Sequence, residues 1–136
     1  MDVEQTRKKL IALGVAEARL SGPRWDLIGI CLKGAKLRGA NLSSIDADGA
    51  DFSEADLREA NFRGACVRRV RFCKSDLRGA DFEDAALTAT DVTGADLHGV
   101  RATPRQLSFV LGLEDAFLDA GTLTDAIQSG YRPKNI

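Results

Sequence analysis

Arg38, Arg58, Arg78 and His98 recur every twenty positions, and two residues before each stands Lys36, Asp56, Asp76 or Asp96. Residues two apart on an extended segment share a face. The chain therefore sets a column of planar donors beside a column of carboxylates. Two readings of such a surface follow. In one, Asp and Arg neighbours relieve the repulsion between stacked like charges, each exposed pair contributing about 0–1 kcal/mol. In the other, the flat array of donors docks a protein partner, because Arg is enriched at interface hot spots. A second basic group lies in "RRVRFCK", where Arg68, Arg69, Arg71 and Lys74 crowd together near Arg63. A solvated charge run and a contact site are the two readings there.

Other chemistry is poorly supplied. The chain has one histidine, His98, and three cysteines, Cys31, Cys66 and Cys73. No Ser or Cys has a base fixed beside it, so no catalytic residue is assigned and the protein is expected not to be an enzyme. Two surface cysteines and a single histidine make no metal site, and no cofactor is expected. "GAKLRGAN" carries its glycines five apart and lacks the strand-to-helix spacing of a phosphate loop. The odd number of cysteines reads as free thiols in a reducing cytoplasm, with a Cys66–Cys73 redox pair as the minor reading.

The elements that position these residues follow a period of five. A large apolar residue or Ala recurs at Leu27, Leu32, Leu37 and onward to Leu97 and Ala102; fourteen of these sixteen are Leu, Phe or Val. Two positions earlier stands a small or apolar residue, from Trp25 and Ile30 to Ala95 and Val100. A helix repeats every 3.6 residues and a strand every two, so neither explains the pattern. If the link between the small and the large residue is extended, both face inward and the Asp or Asn between them faces out. The remaining two residues must turn the chain. Gly takes the second turn position in half of the repeats, as a positive-φ corner would select.

Grouping the large residues by twenty sorts them onto four sides. Side one holds Leu27, Ala47, Val67 and Leu87; side two Leu32, Phe52, Phe72 and Val92. Side three holds Leu37, Leu57, Leu77 and Leu97; side four Leu42, Phe62, Phe82 and Ala102. Four sides of five residues make one coil, and coils stacked at roughly 4.8 Å give a four-coil rod about 20 Å long.

This A-(D/N)-(L/F)-x-x pattern, seen in "ADFSEADLREANF", resembles the pentapeptide repeat family over about residues 23–104. The resemblance implies an all-β solenoid: a right-handed quadrilateral β-helix of about four coils with short α-helical caps at both termini. Cys66, Arg71, Ala86 and Arg101 depart from the Asp/Asn position, which makes coil three the least regular on its surface. The expected organisation is an N-terminal helical cap over 1–22, the β-helix over 23–104, and a C-terminal helical cap and tail over 105–136.

The caps have their own signals. Asp2 reads as an N-cap, Val3, Leu10 and Leu13 as the buried stripe, and Gly14 as the stop. "RKK" followed by an apolar run imitates a signal peptide, but Asp2 and Glu4 sit in what should be its positive region, so the segment reads as a retained cap. Thr103 reads as the N-cap and Pro104 as the first residue of a helix that ends before Gly112. "LEDAFLDAG" reads as a second short helix with Leu113, Phe117 and Ala120 inward. The rival reading keeps the five-spacing at Leu113, Leu118 and Leu123 as a partial extra coil. The tail "YRPKNI" is expected to be loose. Phe109, Leu111, Phe117 and Leu118 exceed what one coil end needs, so a C-terminal homodimer is weighed beside a monomer.

The resemblance also implies two functional classes. Several pentapeptide repeat proteins bind DNA gyrase through an acidic, rod-shaped surface like that of DNA. Residues 23–104 here carry 13 Asp and Glu against 12 Lys and Arg, a net of −1, which is too little negative charge to compete for a DNA channel. Direct nucleic-acid binding lacks a basic excess or interleaved aromatics, and no transmembrane run is present. The expectation is a bacterial, cytoplasmic protein-interaction scaffold or regulatory module with an unknown protein partner, the alternative being a gyrase-protecting DNA mimic.

Overall fold

The computed structural model describes residues 1–134. From Asp26 onward, each side pairs in parallel with the side twenty residues later, through the residue just before the large one. Asp26 pairs with Asp46, Asp46 with Cys66 and Cys66 with Ala86; the other three sides follow the same rule. The coil is therefore four-sided with a twenty-residue repeat, as the grouping requires.

From residue 25 to 79 each five makes three hydrogen bonds to the coil after it. On side three, the Leu37 amide donates to the Asp56 carbonyl at 2.8 Å, Gly39 to Arg58 at 2.8 Å, and Asp56 back to Ala35 at 2.9 Å. A fourth bond, Ala40 to the Leu37 carbonyl at 3.0 Å, closes the corner as a turn. The corner residue has positive φ all fifteen times from Gly29 to Gly99, including Ser44, Glu54, Glu59, Arg69, Lys74, Asp84 and Ala89. The left-handed conformation is thus imposed by the coil whether or not glycine supplies it.

The consensus Asp or Asn holds the turn from outside. In ten repeats its Oδ1 accepts the backbone N–H two residues on, at 2.8–3.3 Å, as Asp51 does from Ser53 at 2.8 Å. This is the Asx bond that favours Asp and Asn in turns. Inside, Phe52, Phe62 and Phe72 are fully buried and Phe82 nearly so. Phe62 and Phe82 stack at 4.9 Å with 5° between planes, and Phe52 lies edge-on to Phe62 at 6.0 Å. Each such pair contributes about 0.5–1.5 kcal/mol beyond area burial. Polar residues in the inward column are satisfied locally: Ser75 Oγ donates to the Phe72 carbonyl at 2.7 Å, and the Thr90 hydroxyl donates to the Val67 carbonyl.

Helix α1, Val3–Ala12, covers the first coil, capped by a reciprocal pair in which Asp2 accepts from the Gln5 amide and Gln5 from the Asp2 amide. Its buried contacts come from Leu10 and Thr6, while Val3 and Leu13 are exposed, against the stripe read from sequence. Thr6 Oγ1 accepts the Asn41 amide at 2.9 Å, supplying an acceptor where no preceding coil exists. Gly14, at φ +96°, follows the helix end as expected.

At the other end the ladder runs past residue 104. After Thr103, which caps the single-turn α2, Pro104–Leu107, the chain returns to the coil: Leu111 pairs with Asp91 and Phe117 with Asp96. A 3-10 turn occupies Leu113–Asp115, and α3 spans Thr122–Gln128. The first helix therefore ends well before Gly112, and the second lies later than the sequence reading put it. Phe117 is correspondingly outward and 61% exposed, where inward was expected. The tail differs too: Tyr131 is buried. The end of the expected loose tail, residues 135 and 136, lies outside the described residues.

Candidate interaction surface

Side three is built on four stacked leucines that are buried throughout, so its outward columns sit on a rigid base. The Asx bond fixes each aspartate there, and the fixed aspartate then holds the arginine two residues on. Arg58 Nε donates to Asp56 Oδ1 at 2.9 Å and Nη2 to Oδ2 at 2.7 Å. Arg78 repeats this on Asp76 at 2.9 and 2.6 Å. Arg58 Nε also lies 3.7 Å from Asp76, and Arg78 Nε 3.7 Å from Asp96, in the next coil. His98 Nδ1 meets Asp96 Oδ1 at 2.6 Å. Asp56, Arg58, Asp76, Arg78, Asp96 and His98 thus form one continuous chain of alternating contacts across three coils.

Hydrogen bonds from their own arginines hold Asp56 and Asp76 below the usual carboxylate range against the opposing pull of partial burial. The same bonds raise Arg58 and Arg78 further above neutrality. The column breaks at coil one. Lys36 replaces the aspartate there, so Arg38 has no fork partner in its own coil and reaches Glu59 at 3.8 Å instead.

The basic residues of "RRVRFCK" do not gather at one spot. Arg69, at the corner between sides one and two, makes a two-bond pair with Asp48 of the coil before, at 2.9 and 2.6 Å. That bond holds Asp48 low. Arg71 stands on side two between Asp51 and Asp91 in the bridge column. Lys74 turns the next corner, its stem lying against Gly94. Arg68 is exposed on side one. Cys66 and Cys73 are half-buried on adjacent sides; the Cys73 thiol is pushed up by burial and by Asp91.

A third polar group lies on side four and was not singled out from sequence. Arg63 and Arg101 straddle Asp81 and Glu83 at 3.1–3.7 Å. Its signal is present in the sequence, since Arg63 and Glu83, and Asp81 and Arg101, are each twenty apart. An open cleft of about 680 Å³ beside it is lined by Glu83, Arg101, Thr103 and Gln106, with no Ser, Cys or His. Among the described residues no group of His, Cys, Asp and Glu is placed to hold a metal ion, and no helix is long and apolar enough to cross a membrane.

The family model for pentapeptide repeats matches residues 35–72 and 68–101, with eight copies. Among solved structures, the pentapeptide repeat protein Rfr23 of the cyanobacterium Cyanothece 51142 is 26% identical with a TM-score of 0.58, over 74% of this chain and 64% of that one. A pentapeptide repeat protein of the Arabidopsis thaliana thylakoid lumen is 36% identical over 56% of this chain and 66% of its own, with a TM-score of 0.36. The pentapeptide repeat protein alr5209 of Nostoc Pcc 7120 is 26% identical over 76% and 84%, with a TM-score of 0.39. No curated protein matches. The chain thus spans just under two thirds of the length of Rfr23, and the likeness implies a right-handed β-helix.

Proposed function

We propose that this chain, a member of the pentapeptide repeat family, is a non-enzymatic interaction module that meets a protein partner through its flat third side. The continuous contact chain from Asp56 to His98 carries this reading. Each guanidinium is locked flat by its aspartate, so little side-chain freedom remains to be lost on docking. Arg58 and Arg78 still present their outer N–H groups and planar faces to a partner. Arg68 on side one and Arg71 on side two, either side of the Arg69 corner, are the second contact surface in this reading. Three free thiols suit a reducing compartment, and a bacterial cytoplasm is the setting proposed.

Gyrase protection by DNA mimicry is the weaker reading. A net of −1 over residues 23–104, with arginines interspersed, gives no sustained acidic surface. The test is affinity capture from bacterial lysate with three folded baits: wild type, Arg58→Glu/Arg78→Glu, and Arg68→Glu/Arg71→Glu. A partner held by wild type and lost from the first variant supports the side-three reading, and loss from the second alone moves the contact to the corner. Gyrase captured more strongly by the charge-reversed baits would restore mimicry. No specific capture by wild type would leave the column a purely structural device.

A further inference from the structure

Side three does not end at His98. Phe117 pairs with Asp96 and so continues the column of Asp56 and Asp76. It faces outward with 61% of its surface exposed. The five rows of this side therefore change character along the rod. Row one is cationic, with Lys36 and Arg38 exposed and no carboxylate between them. The nearest carboxylate of the next row, Asp56, already has both oxygens engaged by Arg58. Rows two to four are the closed Asp–Arg and Asp–His pairs, and row five is the bare Phe117 ring.

The side is also low at its borders. Eight corner residues flank it from coil one to coil four, and five of them are glycine: Gly34, Gly39, Gly79, Gly94 and Gly99. An elongated partner can lie on this face with few side chains standing in its way.

The row spacing selects what kind of partner. Rows stand at about 0, 4.8, 9.6, 14.4 and 19.2 Å on the inter-strand spacing. A helix laid along the rod turns residues i, i+3, i+7, i+10 and i+14 to one face, at about 0, 4.5, 10.5, 15 and 21 Å for its rise of about 1.5 Å per residue. Each of these meets its row to within about 2 Å. An extended strand presents one face only every 6.6–6.8 Å or so, and it brings four residues to five rows.

We propose that side three docks an amphipathic helix of the partner along the rod axis, with a carboxylate over Lys36 and Arg38 and a large apolar side chain about four turns away over Phe117. This rests on the side-three reading and adds what the partner must carry. The carboxylate belongs at row one, because only there is cationic charge left unmatched by a fork. The apolar residue belongs at row five, where an exposed aromatic ring supplies the anchor. Between them the outer N–H groups of Arg58 and Arg78 take side-chain oxygens from the helix.

The probe is a fluorescent synthetic helix of about eighteen residues on an alanine background. It carries glutamate second, glutamines fifth, ninth and twelfth, and leucine sixteenth. A control of the same composition moves the leucine to the opposite face. Anisotropy should show the matched peptide binding and the control binding far less. Phe117→Ser and Lys36→Glu/Arg38→Glu should each weaken the matched peptide by about tenfold, as loss of an interface anchor does. Arg68→Glu/Arg71→Glu should leave it unchanged. Equal binding of the two peptides, or no binding of either, overturns the helix assignment, and this comparison needs no variant. The side-three reading is judged apart from it. A lysate partner lost from the Arg58→Glu/Arg78→Glu bait, yet kept by the Phe117→Ser and Lys36→Glu/Arg38→Glu baits, leaves side three standing and overturns the helix.

Discussion

The Tyr131 hydroxyl accepts the backbone N–H of Leu113 at 2.8 Å, eighteen residues back along the chain. It also donates to the Glu114 carboxylate. Leu113 is fully buried, so this hydroxyl is the acceptor for an amide that water does not reach. Burial and the Glu114 carboxylate push the Tyr131 hydroxyl up to about 12, while its hydrogen bond holds Glu114 low. The tyrosine thereby ties the last segment to the unfinished coil.

Tyr131→Phe should therefore cost about 1–3 kcal/mol, the penalty of leaving a buried donor unmatched. Urea denaturation reads this as a lower midpoint. An unchanged midpoint would mean that the Leu113 amide finds another acceptor. Proteolysis of the variant should begin in α3 before it reaches the four complete coils.

Ala89 makes a second test, because it holds φ +59° at a corner with no side-chain bond to lose. Left-handed backbone costs a non-glycine residue about 1–2 kcal/mol, and glycine returns about 0.4–1 kcal/mol of that through the unfolded chain. Ala89→Gly should raise Tm by about 2–5 °C. Gly29→Ala, at φ +65° with nothing within 4 Å of the added carbon, should lower it. A lower Tm for Ala89→Gly would show that the corner is unstrained.

The side-three carboxylates give a pH prediction with a definite sign. Asp56 and Asp76 are held below their ordinary value in the folded state. Their contribution is present above the unfolded pKa of about 3.9 and is lost as pH falls through the lower folded values. Carboxyl titration by NMR should find both low in wild type. Arg58→Met should move Asp56 up strongly and Asp76 only slightly, since Arg78 is the main partner of Asp76. An unmoved Asp56 would mean that the Asx bond alone holds it.

The period of five made most of the coil readable, because each inward position is set by the large and small residues at Leu57 and Ala55 and their equivalents. The twenty-residue grouping made the Asp–Arg column on side three readable as well. The C-terminal end was not, for a geometric reason. Asp91 pairs with Leu111, twenty residues on, but Asp96 pairs with Phe117, twenty-one on. That one extra residue breaks the register by which Phe117 could have been placed, and it turns the ring outward. The period placed the corners at Glu54, Glu59 and Arg69, although their residue types do not themselves announce positive φ. The "RRVRFCK" cations are dispersed because the coil turns a corner at Arg69 and another at Lys74.

The repeated corner has an evolutionary consequence. From residue 25 to 79 each five-residue side ends in the same turn and meets the next coil through the same three bonds. A duplication of twenty residues would lengthen the rod and leave every face in line. A duplication of five would keep an apolar interior but carry all later surface columns a quarter turn around the axis. Core selection is nearly blind to the difference, so the lineages of such rods can reshuffle which residues stand side by side without passing through an unfolded intermediate.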